Sequence, residues 1–261
     1  KYNVAKVYDN IDDIFTDKNV DVIYITTPHN THYQFMKRAL QNGKNLFVEK
    51  SITLNSRELD EMISLAAEKN LVLAEAMTIW HMPLYKNLWS RIERGDFGKV
   101  QIITLNFGSF KEYNMSNRFF NLNLAGGALL DIGVYALAIV RSFMVEKPTE
   151  ILSQWKPSPT GSDEMATILL KNTQGQLATV ALSMHSKQPK RAVISCERGY
   201  IEIMEYPRAD KAIFVDAATG DVEEIFAGER SDALFYELSD MEHAILNGDA
   251  SAMKLNFSKD V

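Results

Sequence analysis

Along the first seventy-six residues, short apolar runs alternate with amphipathic ones. DVIYIT (Asp21–Thr26) is β-branched and aromatic and has the length of a buried strand. THYQFMKRALQNG follows as an amphipathic helix that stops at Gly43, where glycine suits a helix C-cap. NLFVEK (Asn45–Lys50) is the next strand. NSRELDEMISLAAEKN has an acidic first turn and sets Leu59, Met62, Ile63 and Ala66 on one helical face. LVLAEA (Leu71–Ala76) is a third strand. This spacing predicts a parallel sheet with right-handed crossovers, an α/β unit.

From about Pro83 the pattern changes. PLYKNLWSRIERG reads as a helix, DFGK as a turn and VQIITLNFGSF as a long strand. A helix is predicted over 127–144. Seven alternating segments follow, EILSQW, EMATILLK, QLATVALSMH, RAVISCE, YIEIM, AIFVD and VEEIF, with turn signals such as KNTQGQ and ATGD between them. That texture belongs to an antiparallel sheet. The helix FYELSDMEHAILNG is read as closing the chain. The predicted fold class is therefore α/β plus α+β: a parallel sheet over residues 1–78, then a domain over 79–261 with a large, mostly antiparallel sheet.

Composition changes this picture little. Hydrophobic residues make up 46% and charged residues 24%, as in an ordinary globular protein. The net charge of −6 argues against a nucleic-acid partner, since a polyanion needs a basic face. Cys196 is the only cysteine, which excludes an intrachain disulfide and points to a reducing compartment. It sits in the apolar run AVISC, where an inert, buried thiol is expected. No apolar run reaches the ~18 residues of a membrane span and no signal peptide opens the chain, so a cytoplasmic, membrane-free protein is the expectation.

In parallel α/β sheets, ligands bind beyond the carboxyl ends of the strands. Those tails are TTPHNTH, EKS and EAMTIW. Neither G-x-G-x-x-G nor a P-loop occurs. His29 and His32 form an H-x-x-H pair, but without cysteines or a third ligand a metal is not expected; they touch a ligand or cap the following helix. Glu49 and Lys50 end a strand either as an exposed ion pair or with the lysine aimed into the crevice. Asp131 and Tyr135, four apart in GGALLDIGVY, share one helical face. Either the phenol packs and bonds the aspartate, or it works as a general acid/base with the carboxylate as its partner. Gly126 and Gly127 allow close backbone approach at the entrance. Tyr85 and Trp89 have the spacing of core residues, whereas Trp80, just after a strand, is read as a ligand wall.

Taken together and in order, TTPHNTHY, NLFVEKS, LAEAMTIWHMP and AGGALLDIGVYAL resemble the Gfo/Idh/MocA oxidoreductase family over nearly the whole chain. A tyrosine at 135, where many members have histidine, is similar to the branch with dihydrodiol dehydrogenase and glucose–fructose oxidoreductase. The resemblance implies a partial Rossmann domain followed by an open-faced sheet domain, with NAD or NADP between them. It implies hydride transfer between a nicotinamide and a hydroxyl-bearing carbon of a sugar, polyol or cyclic diol. Lys50, Asp131 and Tyr135 would be catalytic, with the Lys50 ammonium lowering the pKa of Tyr135. Thr26, Thr27, Pro28, His29, His32, Glu49, Lys50 and Trp80 would contact cofactor, and Lys50, Arg118, Asp131 and Tyr135 substrate. No metal is implied.

Three positions depart from the family pattern: Ser51 replaces a proline, His29 an asparagine, and Trp80 falls near an arginine. The family's glycine loop and first strands, on the order of 60 residues, are expected ahead of Lys1. The sheet domain is expected to pair with a second subunit, as a homodimer or higher homo-oligomer. The competing expectation is a non-catalytic protein of the same fold that senses a nucleotide or sugar.

Overall fold

The computed structural model describes residues 4–261. Residues 4–10 are irregular and lead into a short helix, α1 (Ile11–Thr16), which the apolar pattern did not announce. Its signal was local: the Asn10 side chain accepts from the Asp12 N–H at 3.0 Å, an N-cap. The alternating pattern then becomes β1 (Val22–Ile25), α2 (His32–Gln41), β2 (Asn45–Glu49), α3 (Ser56–Glu68) and β3 (Leu73–Ala76). The strands pair in parallel in the order β1-β2-β3. One face of this sheet, with Ile23, Leu46 and Val48, packs against Met36 and Leu40 of α2 and Leu59 and Met62 of α3.

After β3 the chain makes a single helical turn, α4 (Thr78–His81), then α5 (Pro83–Glu93), with proline at its first position. β4 (Val100–Gly108) follows. The helix expected over 127–144 is shorter and more elaborate. A 3-10 turn (Leu122–Leu124), Ala125 at φ 57° and a π-helical turn (Leu129–Gly133) precede α6 (Val134–Phe143). The entrance is tight. Gly127 has φ 143°, and a Cβ there would lie 1.9 Å from Asp163 Oδ1. By length and mean hydropathy the stretch Leu122–Phe143 passes as a membrane span, which corrects the expectation that none would. Half of it is buried, and α6 is the helix at the centre of the large core, through Ala136, Ile139, Val140 and Phe143.

The remaining strands are β5 (Glu150–Pro157), β6 (Asp163–Lys171), β7 (Leu177–Ser183), β8 (Gln188–Cys196), β9 (Gly199–Met204), β10 (Lys211–Asp216) and β11 (Val222–Phe226). With β4 they form an eight-stranded sheet, ordered β11-β10-β9-β8-β4-β7-β6-β5. Only β4 and β7 pair in parallel. The inner face packs Ile103, Leu105, Val180, Leu182 and Ile194 against α5 and α6. The outer face leaves Ile102, Leu169, Leu177 and Met204 exposed.

α7 (Ala233–Asn247) returns to the first sheet, where its Met241 and Ala244 cover Phe47, Ala74 and Ala76 on the face opposite α2 and α3. α7 does not end the chain as expected. α8 (Leu255–Asp260) follows, held by Arg141 Nε to Asp260 Oδ2 at 2.6 Å and by Ser258 Oγ to buried Glu75 at 2.7 Å. Residues placed in the second half of the chain thus complete the packing of the first.

Candidate active site

The tips of β1 and β2 open toward the π-helical turn. After β1, Thr27 and Pro28 lead into a 3-10 turn, His29–Thr31, in which the Thr31 hydroxyl donates to Thr27 Oγ1 at 2.7 Å. His32, the first residue of α2, is fully buried. Its Nδ1 faces the Ser51 carbonyl at 3.0 Å and its Nε2 the Thr27 carbonyl at 2.8 Å. It therefore braces the two strand tips against each other and does not face the opening. His29 stands edge-on to it, 5.7 Å between ring centroids, and does border the opening. Burial, reinforced by the Lys50 charge, brings the His29 pKa down to about 4, so the ring is neutral at pH 7.

Lys50 follows the last residue of β2, and its peptide bond to Ser51 is cis. Its Nζ donates to the Asp131 carbonyl at 2.6 Å and to Asp131 Oδ1 at 3.1 Å. Glu49 points with Phe47 to the α7 side and accepts a hydrogen bond from the Tyr24 hydroxyl. Asp131, in the π turn, also accepts from Arg118 Nη1 at 3.2 Å. Burial alone would raise the Asp131 pKa, but the Lys50 and Arg118 charges outweigh it and hold the carboxyl below its usual range. A cavity of about 360 Å³ lies here, between Thr26–His29 and Lys50 on one side and Ala125, Asp131 and Arg118 on the other.

Tyr135 sits in the first turn of α6, beside Lys50 and not on the cavity wall. Its ring centroid is 5.0 Å from Lys50 Nζ and 6.4 Å from the Phe107 ring. Among the described residues its hydroxyl makes no hydrogen bond, so the aspartate–tyrosine bond left open by the sequence is not formed. The expected lowering of its pKa is also not found. Burial first, then the Glu49 charge, push Tyr135 above its ordinary value of 10. The Lys50 ammonium lies over the ring, but the Asp131 carboxylate beside it acts in the opposite sense, and burial decides the direction.

The structure corrects Trp80 as well. The β3 tail folds into α4 at once, with the Trp80 N–H on the Met77 carbonyl at 3.0 Å, and this turn directs the indole into the core. Trp80 is 1% exposed, edge-on to Phe257, and is not among the residues that line this cavity; its Nε1 has no partner. Tyr85 is buried as expected, its hydroxyl on the Tyr206 carbonyl at 2.5 Å. Cys196 is partly buried, and burial pushes its thiol up to about 11. Among the described residues no group of three or more His, Cys, Asp or Glu is arranged to hold a metal.

Two residues escaped the sequence. Glu237, on α7, is 1% exposed; burial, then the nearby Glu49 charge, raise its pKa to about 8 against the pull of Arg208. Ser51 was seen only as a substitution, yet its hydroxyl bonds the Leu130 carbonyl at 2.9 Å. A buried glutamate in an otherwise apolar helix face was the one available clue to the first; nothing local signalled the second.

Comparison with known proteins fits this geometry. Residues 1–77 match the model of an oxidoreductase family with an NAD-binding Rossmann fold, and residues 85–202 match the GFO/IDH/MocA C-terminal domain. The trans-1,2-dihydrobenzene-1,2-diol dehydrogenase of Xenopus laevis is 30% identical over 82% of this chain and 65% of its own length. The D-xylose 1-dehydrogenase (NADP(+)) of Hypocrea jecorina is 34% identical over 63% of this chain and 46% of its own length. The chain thus spans less than two thirds of either relative. Among solved structures, the aldose-aldose oxidoreductase of Caulobacter crescentus complexed with glycerol superposes with a TM-score of 0.84 at 21% identity, over 95% of this chain and 76% of its own. A 3-ketoreductase from Actinomadura kijaniata, in complex with NADP and TDP-benzene, gives 0.82 at 18% identity, over 94% and 77%. Both structures share the fold. With its N-terminal and C-terminal halves each matched in turn, the chain belongs to the Gfo/Idh/MocA oxidoreductase family.

Proposed function

We propose that this protein is an NAD(P)-dependent dehydrogenase acting on a hydroxyl-bearing carbon of a sugar, polyol or cyclic diol. The observation that carries the reading is Lys50 Nζ, bonded to Asp131 and 5.0 Å from the Tyr135 ring at the tips of a parallel sheet. The cavity suits part of a dinucleotide: its volume is in the range of small-molecule sites, and Thr26, Thr27, Pro28 and His29 line the side where a cofactor would lie. Glu49 lines that side too, and His32 would shape the wall from behind. A nicotinamide held there supplies the hydride acceptor or donor.

The protein's own residues account for the proton. Lys50 and Arg118 present N–H groups to a substrate oxygen, while Asp131 fixes both cations. Tyr135, neutral at pH 7, gives its proton to an oxygen that gains charge on reduction and takes one back on oxidation. The known relatives act on a dihydrodiol and on D-xylose, which supports a polyhydroxylated substrate. The exposed outer face of the eight-stranded sheet supports a homodimer, or a higher homo-oligomer, closed across that face. The lone, unreactive Cys196 suits the reducing cytoplasm.

The test is Lys50→Met and Tyr135→Phe in the whole protein, assayed with sugars and cyclic polyols against both cofactors. Loss of a general acid/base costs about 100- to 10,000-fold in kcat. Unchanged turnover in both variants, with cofactor fluorescence intact, would falsify the assignment.

A further inference from the structure

We propose that Ser51 is a positioning residue, whose hydroxyl sets the register in which Lys50 meets Asp131. The inference rests on the reading of Lys50, Asp131 and Tyr135 given above. Two adjacent residues of the β2 tip donate to two adjacent carbonyls of the π turn: Lys50 Nζ to Asp131 at 2.6 Å and Ser51 Oγ to Leu130 at 2.9 Å. The chain directions oppose, so 50 meets 131 and 51 meets 130. A π turn widens the helix and is a recurrent feature of functional sites.

The division of labour at this tip is plain. Its backbone is tied to its own sheet, with the Ser51 carbonyl on His32 Nδ1 at 3.0 Å and the Ile52 N–H on Glu75 Oε1 at 3.0 Å. Glu75 is 2% exposed and takes a second hydrogen bond from Ser258 at 2.7 Å, so that anchor is rigid. Among the described residues, the hydrogen bonds from this tip that cross to the π turn are those of Lys50 and Ser51. The lysine is a flexible four-carbon stem that can swing, whereas the serine has one short arm and is 6% exposed. Ser51 therefore fixes the distance between tip and turn, and Lys50 finds Asp131 within it. The Ser51 hydroxyl thus gives the chain a polar tie between its two halves.

The experiment is steady-state kinetics of the whole protein carrying Ser51→Ala, Ser51→Cys, Asp131→Asn, or S51A together with D131N. S51C is the nearest replacement in shape, slightly larger and with a much weaker donor, so it answers the question even if S51A does not fold. The expected result for S51A and S51C is a fall in kcat of about ten- to a hundredfold, as a misplacement near 1 Å produces, with KM changed far less. The double variant is expected to match D131N alone, because Ser51 acts through that pair. S51C with wild-type kcat, or fully multiplicative losses in the double variant, would overturn the inference. If K50M and Y135F were themselves active, the parent reading would fall instead, which keeps the two failures apart.

Discussion

Replacing Glu237 with glutamine should flatten the pH dependence of stability. Glu237 is 1% exposed on α7, with the Glu49 carboxylate as an unfavourable neighbour and Arg208 as the only favourable charge among those that act on it most. Burial and Glu49 raise its pKa from 4.5 to about 8. The folded protein then keeps a proton that the unfolded chain has released, so folding takes up a proton between these two values. Stability is full below pH 4.5, falls as pH rises through that window, and levels off above about 8. At about 1.4 kcal/mol per pH unit, the whole displacement corresponds to nearly 5 kcal/mol. Movement of Arg208 toward the ionised carboxylate recovers part of this, leaving roughly 2–3 kcal/mol between pH 5.5 and 8.5. For a chain of this size that is a drop in Tm of roughly 5–10 °C. Glutamine keeps the shape and cannot ionise. Thermal melts followed by circular dichroism at pH 5.5, 7.0 and 8.5 should show E237Q overtaking the parent at the alkaline end. Parallel curves for the two proteins across that range would refute the argument.

Two substitutions probe the scaffold around the site. Trp80→Phe should cost about 1–2 kcal/mol in urea unfolding, the lost packing being partly offset by removal of an indole N–H that has no partner. It should leave NADPH affinity unchanged; a tenfold loss would put Trp80 back at the cavity. Gly127→Ala should destabilise by more than about 2 kcal/mol, since its φ of 143° strains any side chain and its Cβ would meet Asp163 Oδ1 at 1.9 Å. A Tm within 2–3 °C of the parent would show that the Asp163 contact with the Leu129 N–H can yield at little cost.

Periodicity served where burial follows from one element's own pattern. The three parallel strands and the large sheet were legible because Val, Ile, Leu and Phe at strand spacing have few other solutions. It failed where the outcome depends on partners distant in sequence. Trp80 follows a strand, as a ligand wall would, but β3 turns straight into α4 and carries the indole inward. The π turn at Leu129–Gly133 has no local signature beyond two glycines, and the residues bonded to its carbonyls, Lys50 and Ser51, lie about eighty residues earlier. The pKa of Tyr135 was misjudged for the same reason. A nearby ammonium lowers a phenol's pKa, but here burial and the carboxylates around the ring push the other way.

That last point links the charge arrangement to the proposed chemistry. A unit charge about 5 Å away, at an effective dielectric constant near 20, is worth roughly 3 kcal/mol, or about two pKa units. The Lys50 ammonium would exert that on Tyr135, but its carboxylate partner stands 3.1 Å from it and cancels most of the field. Burial, then the charges of Glu49, Asp131 and Glu237, push the Tyr135 pKa up against the pull of Arg208, and it keeps its proton. On the proposed reading, a substrate oxygen competes with Asp131 for Lys50 Nζ. An ammonium that shifts toward that oxygen leaves the Asp131 charge where it was, so Tyr135 keeps its proton until the oxygen gains negative charge and becomes the stronger base. The raised pKa then keeps the proton on Tyr135 until that oxygen can take it, and Lys50 steadies the charge the oxygen gains.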